Sequence, residues 1–288
     1  MSPRMLDVHS HMTTKEGYLL QDRSKIEALE KYYKAPMPYK TEEEMYQDFK
    51  AANVKAIISP SVSTTGYTLE WLVNLHNYTD KLVKKHPDVY QGAWCLCDPT
   101  IGREGVEELE RCLDLGMIGP YFLPGVHRLH ANESAYYPYY EVASKRGVPV
   151  LIAVGMTGLG AGQPGGWGVP LEYFKPFPGV DGVAADFADL KIIASHPAWP
   201  WDAEMISILL HKSNVYQDLH GWAPKYIDPG VIKDLNGRLQ DKFVTGVDYP
   251  TFSHDRIIKD WDSMNLKPAV IEKLLYKNLM GVLGIDKL

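Results

Sequence analysis

Near the start of the chain stands Met5-Leu6-Asp7-Val8-His9-Ser10-His11. It is short, mostly apolar, and ends in His-x-His. Side chains alternate faces along a strand, so Asp7, His9 and His11 are expected on one side. Two imidazoles spaced in this way can converge on a single metal ion. The same residues also describe two capping or surface histidines, so the rest of the chain has to carry the reading.

Seven further short apolar runs follow, at residues 54–60, 90–97, 117–123, 149–155, 191–196, 215–219 and 243–248. Most are rich in Val, Ile, Leu and Ala, as strands buried on both faces should be. Between them lie stretches with apolar residues at helical spacing: 41–52, 69–85, 105–115, 136–146, 202–211, 228–239 and 268–283. The first opens with Thr41 and three glutamates, a helix-start signal. Gly147-Val148-Pro149 reads as a helix stop before a strand. The fifth unit is the least regular. Residues 157–178, rich in Gly, Pro and aromatics, read as a long loop over an active site, with a short helix at 180–188. Eight strands, each followed by a helix or long loop, give the count of a (β/α)8 TIM barrel, an α/β fold in one domain over residues 1–288. The alternative is a doubly wound open sheet, but no Gly-x-Gly-x-x-Gly follows a strand.

Composition narrows the function. The chain has 288 residues and a net charge of −6, and its densest basic cluster is 81–85 on a helical pattern. Nucleic-acid and anionic-membrane binding are therefore disfavoured. No apolar run approaches the ~20 residues that span a bilayer, and no secretory leader is read, so a cytoplasmic location is expected. Cys95, Cys97 and Cys112 are read as buried reduced thiols, since an odd count does not suggest a disulfide framework.

Reactive groups of an α/β barrel sit at the C-terminal ends of its strands. The first run ends in His9 and His11, and the sixth in Ser195-His196-Pro197. The seventh ends in Gln217-Asp218-Leu219-His220, and the eighth in Thr245-Gly246-Val247-Asp248-Tyr249-Pro250. A closed barrel sets the first strand beside the eighth, so His9, His11 and Asp248 can meet. Taken singly, Asp248 also fits a turn or helix cap, His196 a loop residue before Pro197, and Asp218 a supporting residue. His220 can face either way. His127 and His130 fall after the fourth strand, on the expected active face. His76, His86 and His211 are expected at the surface, and His254 in a structural role. Candidate substrate contacts are His220, Arg128, His127, Trp167, Trp199 and Tyr249, with Tyr121 and Trp222 as further aromatic wall. Arg103 and Arg128 are otherwise solvated loop arginines.

Together, Asp7-Val8-His9-Ser10-His11, Ile193-Ala194-Ser195-His196-Pro197, the segment Asn214 to Trp222 and Thr245 to Pro250 resemble the amidohydrolase superfamily. Within it they resemble the amidohydrolase-related group of hydrolases, lactonases and aromatic acid decarboxylases. Lys277-Asn278-Leu279 with Leu283-Gly284 matches the closing helix. The resemblance implies a divalent metal at the barrel mouth. In it His9 and His11 match first-strand ligands, and Asp248 the last-strand carboxylate that binds metal or acts as general base. His196 matches a histidine that orients water, polarises substrate or completes the ligand set. One departure stands out. The family's fifth-strand histidine is replaced by Ala153, and Gly119-Pro120-Tyr121-Phe122-Leu123 lacks the lysine of binuclear relatives. One metal is therefore expected, held by His9, His11 and Asp248 or with His196 or His220 as a fourth ligand; zinc comes first, with manganese or iron as alternatives and a metal-free site as the remaining outcome.

The activity so implied is hydrolysis of a C–O or C–N bond in a small cyclic or aromatic acid, with Asp248 as general base. The alternatives are non-oxidative decarboxylation of an aromatic or enol acid, and a low-activity partner subunit of a homologous barrel. The expected partners are a small-molecule substrate and either a second copy or a homologous chain.

Overall fold

The computed structural model describes residues 3–287. Eight parallel strands pair in sequence order: β1 (Leu6–His11), β2 (Lys55–Ser59), β3 (Tyr90–Leu96), β4 (Gly119–Phe122), β5 (Val150–Ala153), β6 (Ile192–Ser195), β7 (Val215–Asp218) and β8 (Phe243–Val244). Backbone bonds beyond β8 close the circle: Val8 N to Thr245 O at 3.4 Å, Asp248 N to His9 O at 2.9 Å, and His11 N to Tyr249 O at 2.8 Å. The fold is a (β/α)8 barrel. β1, β4, β5 and β6 are buried along their whole length, which is why they read as continuous apolar runs.

β8 is the shortest strand, and closure there depends on one glycine. A Cβ on Gly246 would lie 2.5 Å from Asp7 Oδ1 and 2.8 Å from His9 N. Any side chain at this position would wedge the first and eighth strands apart. Gly246→Ala is expected to destabilise the fold by about 1–3 kcal/mol. Urea unfolding checks this, and an unchanged midpoint would show that the strands give way freely.

The expected helices are present, with Leu69–Lys85 and Asp202–His211 at the expected bounds. Thr41 caps Glu42–Ala51 in a capping box with Glu44. The 157–178 loop holds two short 3-10 turns, Pro164–Gly168 and Leu171–Phe174. The helix expected at 180–188 is instead Pro176–Asp186. The run expected as one helix at 268–283 is three segments, with a π turn at Lys273–Lys277. The helix Arg23–Tyr33 has no sequence counterpart above. It buries only Ile26 and Leu29 among its eleven residues, too thin an apolar stripe to show in periodicity.

No helix among the described residues is long and apolar enough to cross a membrane.

Candidate metal centre and active site

β1 delivers His9 and His11 to the barrel mouth. Beneath them the Asp7 carboxylate is consumed by structural bonds. Its Oδ1 accepts from His9 N at 2.9 Å and Val247 N at 3.3 Å, and its Oδ2 from Ser10 Oγ at 2.5 Å and His254 Nε2 at 2.8 Å. Asp7 thus locks β1 to the segment after β8, and His254 has the structural role expected of it.

Three of the four histidines, His11, His196 and His220, are oriented from behind by acceptors. His11 Nδ1 lies 3.2 Å from Ser59 O, and His196 Nδ1 lies 2.9 Å from Ser195 O. A carbonyl oxygen only accepts, so each Nδ1 carries the proton and each Nε2 keeps its lone pair. His220 Nδ1 is bonded to Asp218 Oδ2, while Asp218 Oδ1 accepts from His220 N at 3.0 Å. With Asp218 ionised, His220 Nε2 also presents a lone pair. A carboxylate or carbonyl behind each imidazole is the usual support of metal-binding histidines.

These lone pairs face one another. His9 Nε2 and His11 Nε2 are 3.2 Å apart, and His11 Nε2 lies 3.3 Å from Asp248 Oδ1. Two donors on one ion, at bonds of about 2.1 Å, stand roughly 3.0–3.4 Å apart. Ligand atoms of His9, His220 and Asp248 all lie within 4.8 Å of one another. His220 Nε2 is buried with no hydrogen-bond partner, and so is His9 Nδ1. An orphaned nitrogen in a buried cluster of donors is costly unless a cation fills the gap. The residues present therefore fit a divalent ion.

The electrostatics agree with that fit. Burial pushes His9 well below the usual imidazole range, and neighbouring His11 and His196 add to the effect. Burial lowers His220 likewise, with His9, His196 and His11 contributing. His196 is lowered by burial, although Asp248 pulls the other way. Neutral imidazoles are the form a metal needs. Burial also pushes the Asp218 carboxyl well up, a cost that a cation beyond His220 offsets. His9 and His220 stack, with ring centroids 3.8 Å apart at 11°.

His196 and Asp248 share an unusual backbone. Their φ angles are +79° and +58°, in the left-handed region that costs a non-glycine residue about 1–2 kcal/mol. Both follow strand ends at the barrel mouth. Strain of this kind persists where the surrounding structure enforces it, often at functional sites.

A cavity of about 660 Å³ opens above the centre. His9, His11, His196, Asp248, Tyr121, Trp199 and Trp222 are on its wall. His220 is fully buried beneath it. The other candidate substrate contacts lie off the wall. The Tyr249 hydroxyl donates to Asp48 Oδ2 at 2.5 Å. The His127 ring is buried beside Asp98 and Tyr136, and burial lowers its pKa to about 4. Arg128 reaches Gly168 O at 2.8 Å, and Trp167 lies under the Lys25 ammonium. Arg103 pairs with Glu107. Many wall residues had no sequence signal, among them Tyr33, Met156, Tyr226 and Arg256. They sit on helices or loops whose approach to the mouth only the folded chain sets.

His76 and His86, expected at the surface, are buried. His76 sits with Cys95 and Cys112 in a second group of metal-type donors. Both its nitrogens are already engaged, Nδ1 by Glu108 Oε1 at 2.7 Å and Nε2 by Leu96 O at 3.1 Å. Burial opposes the imidazolium, but hydrogen bonds with Cys112 and Glu108 outweigh it and raise His76 to about 9. Burial also opposes the Glu108 carboxylate, yet bonds from Arg111 and His76 hold it down at about 2. A raised folded pKa stabilises fully below the unfolded value near 6.5, and the gain is lost as pH rises through about 9. Stability is therefore expected to fall by roughly 2–3 kcal/mol between pH 6.5 and 9.5. Urea titrations of wild type and His76→Gln check this, because the variant should lose that pH dependence.

The fold and site define a class: a barrel whose strand ends carry converging histidines and an aspartate that fit a divalent ion. The amidohydrolase family model matches residues 7–284, and the chain belongs to that family. No curated protein sequence matches it. Among similar solved structures is an uncharacterized TIM-barrel protein, Bb4693, from Bordetella bronchiseptica. Its TM-score is 0.77 at 21% identity, over 98% of each chain. A 5-carboxyvanillate decarboxylase from Novosphingobium aromaticivorans, complexed with manganese and a nitrobenzoic acid, matches with TM-score 0.74 at 15% identity. That match covers 97% of this chain and 96% of the other. A dihydroxybenzoic acid decarboxylase from Polaromonas, with manganese and 2-nitroresorcinol, gives 0.71 at 15% identity, over 100% and 98%. Likeness at these identities shows the fold.

Proposed function

We propose that this chain is a metal-dependent hydrolase that cleaves a C–O or C–N bond in a cyclic or aromatic acid. The observation that carries the reading is the convergence of His9, His11, His220 and Asp248 at the floor of the cavity. These four residues would hold the ion. His220 supplies the donor that Ala153, fully packed within β5, cannot. When bound, a divalent ion, zinc or manganese, makes water acidic near neutral pH and polarises a carbonyl.

The chain's own groups do the rest. Asp248 is both beside His11 and on the cavity wall, so it takes the proton of the attacking water and returns it to the leaving group. His196 bonds Ser195 O through Nδ1, so its Nε2 accepts rather than donates. In this tautomer it orients the attacking water instead of stabilising an oxyanion. Among the lining residues Arg256 is the one permanent cation; its side chain is 53% exposed and 3.3 Å from Asp260. With one carboxylate among its ligands a divalent ion would leave the floor net positive and able to polarise a carbonyl, and Arg256 offers an acid group of the substrate a second contact at the mouth.

Decarboxylation is the second reading, supported by the manganese-bound decarboxylases among the similar structures. Incubating metal-loaded protein with a panel of aromatic acids, esters and lactones separates the two. Hydrolysis incorporates one oxygen from labelled water into the product. Release of carbon dioxide without that incorporation would overturn the hydrolase reading.

A further inference from the structure

We propose that the cavity takes a substrate with an apolar body larger than one ring, its hydrolysable group seated at the metal centre. This rests on the reading above for the position of the reacting group. The size argument stands on the cavity itself. Benzene fills a cavity of about 150 Å³, whereas this one encloses about 660 Å³. A one-ring acid would leave most of it to water.

The walls would tolerate that water poorly. The polar groups are concentrated at the strand ends, in His9, His11, His196 and Asp248. Apart from these, Thr157, Thr251 and Arg256, the lining side chains are mostly aliphatic and aromatic. Leu29 and Met37, from the segment between β1 and β2, and Leu159, from the loop after β5, are each at most 8% exposed. Trp199 and Trp222 form an aromatic flank, with ring centroids 5.9 Å apart. The enclosure is built by contact between the two covering segments. A Cβ on Gly162 would meet the Tyr32 ring at 2.1 Å, and one on Gly158 the Tyr33 hydroxyl at 3.3 Å. The helix Arg23–Tyr33 is thus seated on two glycines of the loop after β5, and the apolar space under it is part of the folded chain. A polar occupant would forfeit its hydration against these walls, while a fused-ring or similarly long apolar body would displace the water that wets them.

The test uses metal-loaded protein and three rigid probes: benzoate, 2-naphthoate and anthracene-2-carboxylate. Binding is read by quenching of tryptophan fluorescence and by calorimetry. Affinity is expected to rise roughly tenfold or more with each added ring. Leu159→Trp or Met37→Trp should fill the space and collapse the benzoate-to-anthracene-2-carboxylate ratio to near unity. Two cavity-filling variants guard against one that fails to fold, and the wild-type series stands without either. Equal affinity for all three probes would overturn the proposal, as would a size dependence that both folded variants leave intact. If the series holds but no oxygen from water enters any product, the hydrolase reading falls and the assignment of the cavity survives.

Discussion

Asp248→Asn is expected to keep the barrel and to lower turnover by about 10²–10⁴-fold. The amide matches the carboxylate in shape, so the left-handed backbone at this position and the Asp248 N to His9 O bond can persist. It cannot take a proton from water, and it is a poorer metal donor 3.3 Å from His11 Nε2. The measurement pairs kcat with metal content. Turnover close to wild type with metal retained would remove Asp248 from proton transfer and leave only a structural part for it. Turnover lost together with the metal would assign it chiefly to holding the ion.

His220 should separate from His196 in the same assay. His220→Ala is expected to weaken metal binding by more than about 100-fold, beyond the 10–100-fold typical of a residue that only supports a ligand. Asp218→Asn, acting through the His220 ring, should fall within that supporting range. His196→Ala should keep the metal and lose turnover, because His196 lines the cavity and is outside the group of close donors. The reverse pattern, metal lost from His196→Ala and kept by His220→Ala, would overturn this ligand set. Circular dichroism on each variant shows whether the barrel survives, which matters because His220→Ala strips a buried carboxylate of its partner.

The second of these predictions turns on His220, which the motifs offered both as a substrate contact and, like His196, as a fourth ligand. His220 follows Asp218 and Leu219 at the end of β7, and alternation along the strand does not fix the face of a residue beyond its last pair. Its direction is set by the bond from its ring to Asp218 and by stacking on His9. Both partners belong to the folded barrel.

The sequence by itself determined the barrel, because eight buried strands demand near-continuous apolar runs and the helices between them demand a 3.6-residue period. It also determined which strand ends carry polar chemistry, so His9, His11, His196 and Asp248 were legible as one set. What stands beside that set is a matter of tertiary packing: β5 ends in Ala153, which has no donor, while the end of β7 places His220 next to His9 and Asp248. The cavity belongs to the same category. Its roof is a thinly apolar helix, Arg23–Tyr33, resting on Gly158 and Gly162 more than a hundred residues away. Periodicity reports what a segment buries within its own element. The enclosed volume depends on where distant segments come to rest, and packing contacts between them, absent from any local pattern, decide that.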